Sequence, residues 1–77
     1  MKKKIKDVHS LKSTAEETGK YADHIIGFEN GDEKTFEDID NSSIKVGRFT
    51  KMKHRDKNIV FGVQHKKVNW FEVHGKD

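Results

Sequence analysis

The apolar residues of this chain are concentrated in one stretch, residues 25–73, and most of them are isoleucine, valine or phenylalanine. Side chains that are β-branched or aromatic fit the pleated, half-buried surface of a β-sheet. Charged residues make up 38% of the sequence, a proportion close to that of disordered chains. A disordered chain would not cluster its apolar residues in this way, so we expect a folded, mainly β domain.

The chain has 77 residues, which suits a single domain spanning residues 1–77. A domain of this size buries only about 60% of the surface of its unfolded chain, so its core is small. The absence of cysteine excludes disulfides and thiolate metal ligands, and it favours a reducing compartment. No apolar run approaches the roughly 20 residues that cross a bilayer. We therefore expect a cytoplasmic protein without a membrane partner.

The N-terminal part of the chain predicts little more than a short helix. In residues 1–12, Ile5, Val8 and Leu11 recur at a spacing of three, which fits either a helix or a flexible basic arm. Ser13 and Glu16 have the spacing of a capping box, and Gly19 stands where a helix would end. We expect a short helix at residues 13–19.

Residues 21–74 predict an antiparallel β core of about five strands. Asn30 and Gly31 form the strongest hairpin signal in the sequence. A return strand is expected around Thr35 and Phe36, followed by a polar connection near residues 38–43. Further strands are expected at residues 44–53, 59–64 and 68–73, joined by turns at residues 54–58 and 65–67.

Glycines inside the predicted strands indicate that the sheet is bent. Gly27, Gly47 and Gly62 occupy such positions, where glycine usually marks a bulge or a sharp bend. Hairpin connections and bends favour a curled sheet or a small closed barrel. In strand count and spacing the outline is similar to SH3-like and OB-like barrels, although no motif of either family is present.

No group of residues has the spacing that catalysis or metal binding requires. The histidines lack the short separations that place metal ligands on one element, and we expect them to be solvated. They are His9, His24, His54, His65 and His74. The acidic residues between 15 and 40 fall at turns and on solvent faces, where carboxylates are not activated. With no nucleophile motif and no phosphate-cradling glycine loop, we expect no enzyme activity, cofactor or metal.

Charge divides the sequence into two unequal parts. Residues 1–43 contain seven lysines and ten acidic residues, whereas residues 44–77 contain nine basic and three acidic residues. Fourteen of the sixteen basic residues are lysine, which supplies point charges but not the bidentate fork of arginine. Nucleic-acid binding by such a surface would follow the backbone and have weak sequence specificity.

Strand alternation along residues 44–53 indicates where a binding surface would lie. If Ile44 faces the core, an aromatic ring and three lysines share the opposite face. These residues are Lys45, Phe49, Lys51 and Lys53. Lysines that contact phosphates and a ring that stacks on bases are typical of proteins that bind single-stranded nucleic acid. The alternative is structural, since a bulge at Gly47 would turn Phe49 into the core, and lysines on an edge strand also prevent aggregation.

The last predicted strand is apolar on both faces, because Val68 and Trp70 point one way while Phe71 and Val73 point the other. One pair belongs to the core. The other is then covered by the helix, by a second copy of the chain or by a ligand. If Phe71 and Val73 are internal, Trp70 joins the outer basic surface.

The sequence leaves two functions open. The first is a nucleic-acid-binding accessory or regulatory protein that contacts DNA or RNA through the backbone. Its expected contact residues are Lys45, Arg48, Phe49, Lys51, Lys53, Arg55, Lys57, Lys66, Lys67 and Trp70. The second is a protein-interaction module, an inhibitor or adaptor, that docks residues 68–73 against a partner or a second copy. A small domain without motifs would also suit a phage or mobile element, which is an association without a physical argument.

Overall fold

In the computed structural model, which describes residues 5–76 except the side chain of Val8, five antiparallel strands form one sheet and a short helix packs against it. A 3₁₀ turn at Val8–Ser10 leads into helix α1 (Leu11–Thr18). The strands are β1 (Tyr21–Phe28), β2 (Glu33–Lys45), β3 (Phe49–His54), β4 (Val60–Gln64) and β5 (Val68–Gly75). A second 3₁₀ turn, His65–Lys67, joins β4 to β5.

The strand order is β4-β3-β2-β1-β5, so β4 and β5 are the edges of an open sheet. β2 is the longest strand, and it pairs with β1 through its first part and with β3 through its second. The rings of Phe36 in β2 and Phe61 in β4 lie 5.0 Å apart, although the two strands are not neighbours. The predicted mainly β fold with five antiparallel strands is confirmed, and of the two predicted shapes the sheet adopts the open, curled one.

The hairpin predicted at Asn30 and Gly31 is present. The backbone N–H of Phe28 donates to the carbonyl of Asp32 at 2.8 Å, and that of Gly31 donates to the carbonyl of Phe28 at 3.0 Å. Gly31 has a φ of 93°, a conformation that favours glycine. The Asn30 side chain accepts the Asp32 N–H at 2.9 Å, which fixes the turn further.

The boundary between the second and third strands was predicted wrongly. Residues 38–43 belong to β2, and the chain turns at residues 46–48 instead. The polar residues are tolerated inside a strand because their side chains and backbone groups form hydrogen bonds. For example, the N–H of Asp38 donates to the Asp23 carboxylate at 3.0 Å. Asp38 has a φ of 53° and lies at a register shift between β1 and β2, where the strand bends. Gly47 therefore lies in a turn and not inside a strand.

Helix α1 begins earlier than the capping-box spacing predicts. It starts at Leu11, and the Ser13 hydroxyl donates to the carbonyl of Ser10 at 3.1 Å instead of capping a helix. Gly19 follows its last residue, as predicted. Ile5 forms an antiparallel bridge with Phe71, with both N–H···O distances at 2.9 Å. Residues 1–4 of the predicted basic arm lie outside the described residues.

The core lies between α1 and one face of the sheet, which we call the inner face. Leu11 and Ala15 of the helix are buried there. The sheet contributes a larger set of buried apolar side chains, which includes Ala22, Ile26, Ile39, Ile44, Met52, Val63, Phe71 and Val73. Burying one large aliphatic or aromatic side chain stabilises a fold by about 1.5–3 kcal/mol. No helix of residues 5–76 packs on the opposite, outer face.

Both apolar faces of β5 are accounted for within the chain. Phe71 and Val73 are buried on the inner face, and Trp70 packs on the outer face over Gly27 of β1. Val68 was predicted to share the face of Trp70, and this is wrong. A register shift between β1 and β5 pairs Val68 with Phe28, so Val68 packs against the core.

Candidate nucleic-acid interface

Phe49 lies on the outer face because β3 starts at this residue, after the turn, and its side chains alternate regularly between the two faces from there. Thr50 and Met52 are buried on the inner face, while Lys51 and Lys53 are exposed on the outer face with Phe49. The ring of Phe49 is 51% exposed. The alternative in which a bulge turns this ring into the core is therefore not what the chain adopts.

Lys45, at the end of β2, completes the predicted surface from the neighbouring strand. It stands directly opposite Lys51 in the β2–β3 ladder and is exposed. We call Lys45, Phe49, Lys51 and Lys53 the Phe49 stripe. Like charges directly opposite each other destabilise a sheet, and within residues 5–76 neither Lys45 nor Lys51 makes an ion pair. This part of the described surface therefore carries two positive charges that no described carboxylate pairs with.

Lys53 has a different environment from the other two lysines. Its cross-strand partner in β2 is Asp40, whose carboxylate accepts hydrogen bonds from the Ser42 N–H at 3.0 Å and hydroxyl at 2.7 Å. A nearby carboxylate reduces the attraction of Lys53 for an anion. The most positive part of the Phe49 stripe is therefore at Lys45 and Lys51.

Strand β4 extends the outer surface beside the stripe. Val60, which is 59% exposed, pairs with Lys53, Gly62 pairs with Lys51, and Gln64 pairs with Phe49. Apart from Gly62 and its two chain neighbours, no atom of the described residues lies within 4 Å of the position that a Cβ of Gly62 would occupy. The ring of Phe49 thus stands beside an open surface that a flat base can reach.

A cavity of about 620 Å³ adjoins one end of the Phe49 stripe. It lies between the β2–β3 turn and the two 3₁₀ turns. Its lining consists of residues 46–48, His9, Gln64, His65 and Lys66. We call this cavity the basic pocket, because Arg48 and Lys66 bring two permanent cations to it and the histidines bring two imidazole rings.

His65 is held in a fixed orientation in the basic pocket and is not simply solvated, as the sequence predicted. Its Nδ1 atom is 3.1 Å from the hydroxyl of Thr50, and its ring centre is 4.9 Å from that of His9. Its other ring nitrogen, Nε2, is buried and has no hydrogen-bond partner among the described residues. Nothing in the local sequence indicates this contact, because Thr50 and His9 are distant from His65 along the chain.

The remaining predicted contact residues lie elsewhere. Arg55 stacks over the ring of Tyr21 at 4.1 Å and its Nε is 3.5 Å from the Asp56 carboxylate. Lys57 is exposed in the β3–β4 turn and Lys67 in the turn before β5. Trp70 is on β5, which β2 and β1 separate from β3 in the sheet. The structure therefore brings together the Phe49 stripe, Arg48 and Lys66. Arg55 and Trp70 lie away from them, and Lys57 and Lys67 lie in turns outside the stripe and the pocket lining.

His24 was predicted to be solvated and is instead fully buried in β1. Its Nε2 lies 2.8 Å from Oδ1 of Asn41, and Nδ2 of Asn41 donates to the carbonyls of Ala15 at 3.0 Å and Gly19 at 2.9 Å. Burial lowers the pKa of His24, because the charged ring would lose its hydration. The alternation of His24 with Ala22 and Ile26 was the available sequence signal for this burial.

Within the described part of the chain, no group of three or more histidine, cysteine, aspartate or glutamate side chains is placed to hold a metal ion. No helix there is long and apolar enough to span a membrane. A scan against protein-family models and searches of curated proteins and of solved structures found no match to this chain.

Proposed function

We propose that this protein is a small nucleic-acid-binding module that holds a single strand on the outer face of β3. The observation that carries the proposal is the half-exposed ring of Phe49 beside the cross-strand pair of Lys45 and Lys51. The two lysines stand directly opposite each other without ion pairs among the described residues, which destabilises the free sheet, and the phenylalanine beside them is exposed. A strand of nucleic acid uses both features, since its bases have π-faces and its phosphates are anionic.

The chemistry of these groups sets the expected mode of binding. Stacking a base on an aromatic side chain contributes about 1–3 kcal/mol, and it does so for every base. Lysines neutralise phosphates as point charges and do not read base edges. Binding should therefore be salt-dependent and nearly independent of sequence, and it should favour single strands, whose bases are free to stack.

The salt dependence gives a quantitative test. If Lys45, Lys51 and Lys53 each neutralise one phosphate of a single strand, the logarithm of the association constant should fall against the logarithm of salt concentration with a slope of about −2. Fluorescence anisotropy with a labelled oligonucleotide, measured over a salt series, provides this slope. No binding to single-stranded DNA or RNA at low salt would overturn the proposal.

Matched variants distinguish binding by the Phe49 stripe from attraction by the overall positive charge of the protein. Phe49→Ala should weaken binding by at least about fivefold through lost stacking, and Lys45→Gln should reduce the slope by about 0.7. Lys34 is the control. It is an exposed lysine of the same strand, but its register partner is Ile26, which faces the core, so Lys34 is not on the face of the Phe49 stripe. Lys34→Gln changes the net charge equally, so an equal loss with this variant would contradict a defined interface.

A protein partner remains the second candidate, with a different basis from the one that the sequence suggested. The apolar residues of β5 pack within the chain. At the start of the edge strand β4, however, Ile59 and Val60 are 41% and 59% exposed. An extended segment of another chain can pair with such an edge. Association of this kind should survive high salt, so the salt series above distinguishes it from nucleic-acid binding.

A further inference from the structure

The basic pocket adjoins the Phe49 stripe through Arg48 and Gln64. Arg48 lines the pocket and immediately precedes Phe49 in the chain, and Gln64, another lining residue, is the cross-strand partner of Phe49. A strand that stacks on Phe49 and follows Lys45 and Lys51 therefore has the pocket within reach at one end.

The lining of the basic pocket suits an anion. Arg48 and Lys66 are exposed and positively charged, and no carboxylate is present among the described residues that line the pocket. Cavities of roughly 300–1,000 Å³ hold small ligands, so a volume of about 620 Å³ has room for a nucleotide with its phosphate. Arginine in addition offers a planar fork of donors that matches phosphate oxygens.

His65 supplies a further group that needs a partner. A buried ring nitrogen without a hydrogen bond costs free energy, and Nε2 of His65 is in this state among the described residues. When the Thr50 hydroxyl donates to Nδ1, the neutral ring carries its hydrogen on Nε2, which is then a donor. The ring of His9, an exposed residue that also lines the pocket, lies beside it with the ring centres 4.9 Å apart.

We infer that the basic pocket binds the terminal phosphate of the strand that stacks on Phe49, an inference that rests on the proposed function. A phosphate monoester carries a charge of about −1.5 to −2 and three acceptor oxygens. A phosphodiester inside a strand carries a single charge. The two permanent cations, Arg48 and Lys66, match the charge of the monoester better, and a concave site takes a chain end more easily than the middle of a strand.

The test compares single-stranded oligonucleotides of one sequence that carry a 5′-phosphate, a 3′-phosphate or hydroxyls at both ends. Anisotropy of a label on an internal base gives the three affinities at one salt concentration. We expect one terminal phosphate to tighten binding by about tenfold, the effect of one good charge-assisted hydrogen bond. Arg48→Gln and Lys66→Gln should each reduce this ratio towards one, and both side chains are exposed, so the fold should persist.

Lys34→Gln is again the matched control and should leave the ratio unchanged. Equal affinities for the three oligonucleotides would overturn the terminal-phosphate inference while leaving the proposed function standing. Failure of all three to bind would overturn both. A nucleoside monophosphate that binds as tightly as the phosphorylated strand would show that the pocket serves a free nucleotide, and this too would contradict the inference.

Discussion

His24 and Asn41 connect the helix to the sheet through buried polar contacts. Asn41 is buried and donates to the carbonyls of Ala15 and Gly19 near the end of α1, while its oxygen faces Nε2 of His24. Nδ1 of His24 is buried without a hydrogen-bond partner among residues 5–76. The folded state therefore disfavours the protonated ring, although Asn41 and Asp23 partly oppose the effect of burial on its pKa.

This arrangement predicts a loss of stability in mild acid. In the unfolded chain a histidine takes up its proton near pH 6.5, whereas the lowered pKa of His24 keeps the folded state unprotonated to lower pH. The unfolded state then binds more protons, so the free energy of unfolding should fall as the pH decreases below about 6.5.

Urea unfolding at pH 7, 6 and 5 measures this effect. His24→Phe should be less stable than the natural protein at pH 7, because Asn41 loses a partner, and its stability should depend less on pH. His9→Gln, a change of an exposed histidine, should retain the full dependence. An unchanged pH dependence in His24→Phe would show that His24 does not couple to folding.

Gly27 and Gly62 allow a direct comparison, because both are glycines within strands but their surroundings differ. A Cβ at Gly27 would collide with the indole of Trp70, whereas a Cβ at Gly62 meets no atom of the described residues beyond its chain neighbours within 4 Å. We expect Gly27→Ala to destabilise the domain by about 1–3 kcal/mol and Gly62→Ala to be neutral or slightly stabilising. Trp70 is the single tryptophan, so its fluorescence reports displacement of the ring. Equal stabilities of the two variants would contradict this packing.

At the scale of elements, β2 determines how the sheet curls. One register shift lies at Asp38, within the pairing of β2 with β1, and a second lies between Asp40 and Lys45 in its pairing with β3. Lys76, after the end of β5, reaches across to the first of these shifts: its Nζ is 3.2 Å from carboxylate oxygens of both Asp23 and Asp38. The hydrogen bond from Lys76 lowers the pKa of the Asp38 carboxyl, and the bonds to Asp23 and Asp38 raise the pKa of Lys76.

The stability of variants at Asp38 should therefore depend on the backbone conformation that the new residue tolerates as well as on its charge. Asparagine tolerates a positive φ better than alanine, so Asp38→Ala should lower the urea midpoint more than Asp38→Asn. Because the pKa of Asp38 is lowered, its stabilising effect is present at neutral pH and lost as the pH falls below about 4. Equal midpoints for the two variants at pH 7 would indicate that the backbone at Asp38 is not strained.

The elements that the sequence predicts well are those with local causes. The turn at Asn30 and Gly31 depends on backbone preferences of adjacent residues, and β4 and β5 on apolar runs between turns. The end of β2 could not be predicted from local sequence, because Asn41 bonds to the carbonyls of Ala15, Gly19 and Lys20, which are distant along the chain. Period-two alternation gave the outward position of Phe49 as one of two alternatives, and the structure adopts it. The contact of His65 with Thr50 arises from tertiary structure.

At the scale of the whole molecule, the fold places opposite charges in different regions of one sheet. Asp23 of β1 and Asp38 of β2 bind Lys76, while the lysines of β3 and the end of β2 lie beside Phe49 without ion pairs among the described residues. The small core occupies the inner face, so the outer face is free to carry this charge pattern. A domain of this size can therefore present a binding surface without sacrificing core residues.

The most direct test of the nucleic-acid proposal is an amide-resolved NMR titration of the protein with a short single-stranded oligonucleotide at two salt concentrations. We expect shifts at low salt to be concentrated in β3, at Lys45 and around the basic pocket, and to diminish strongly at high salt. Shifts that are absent at low salt, or that are confined to β5 and Trp70, would contradict the Phe49 stripe as the binding surface.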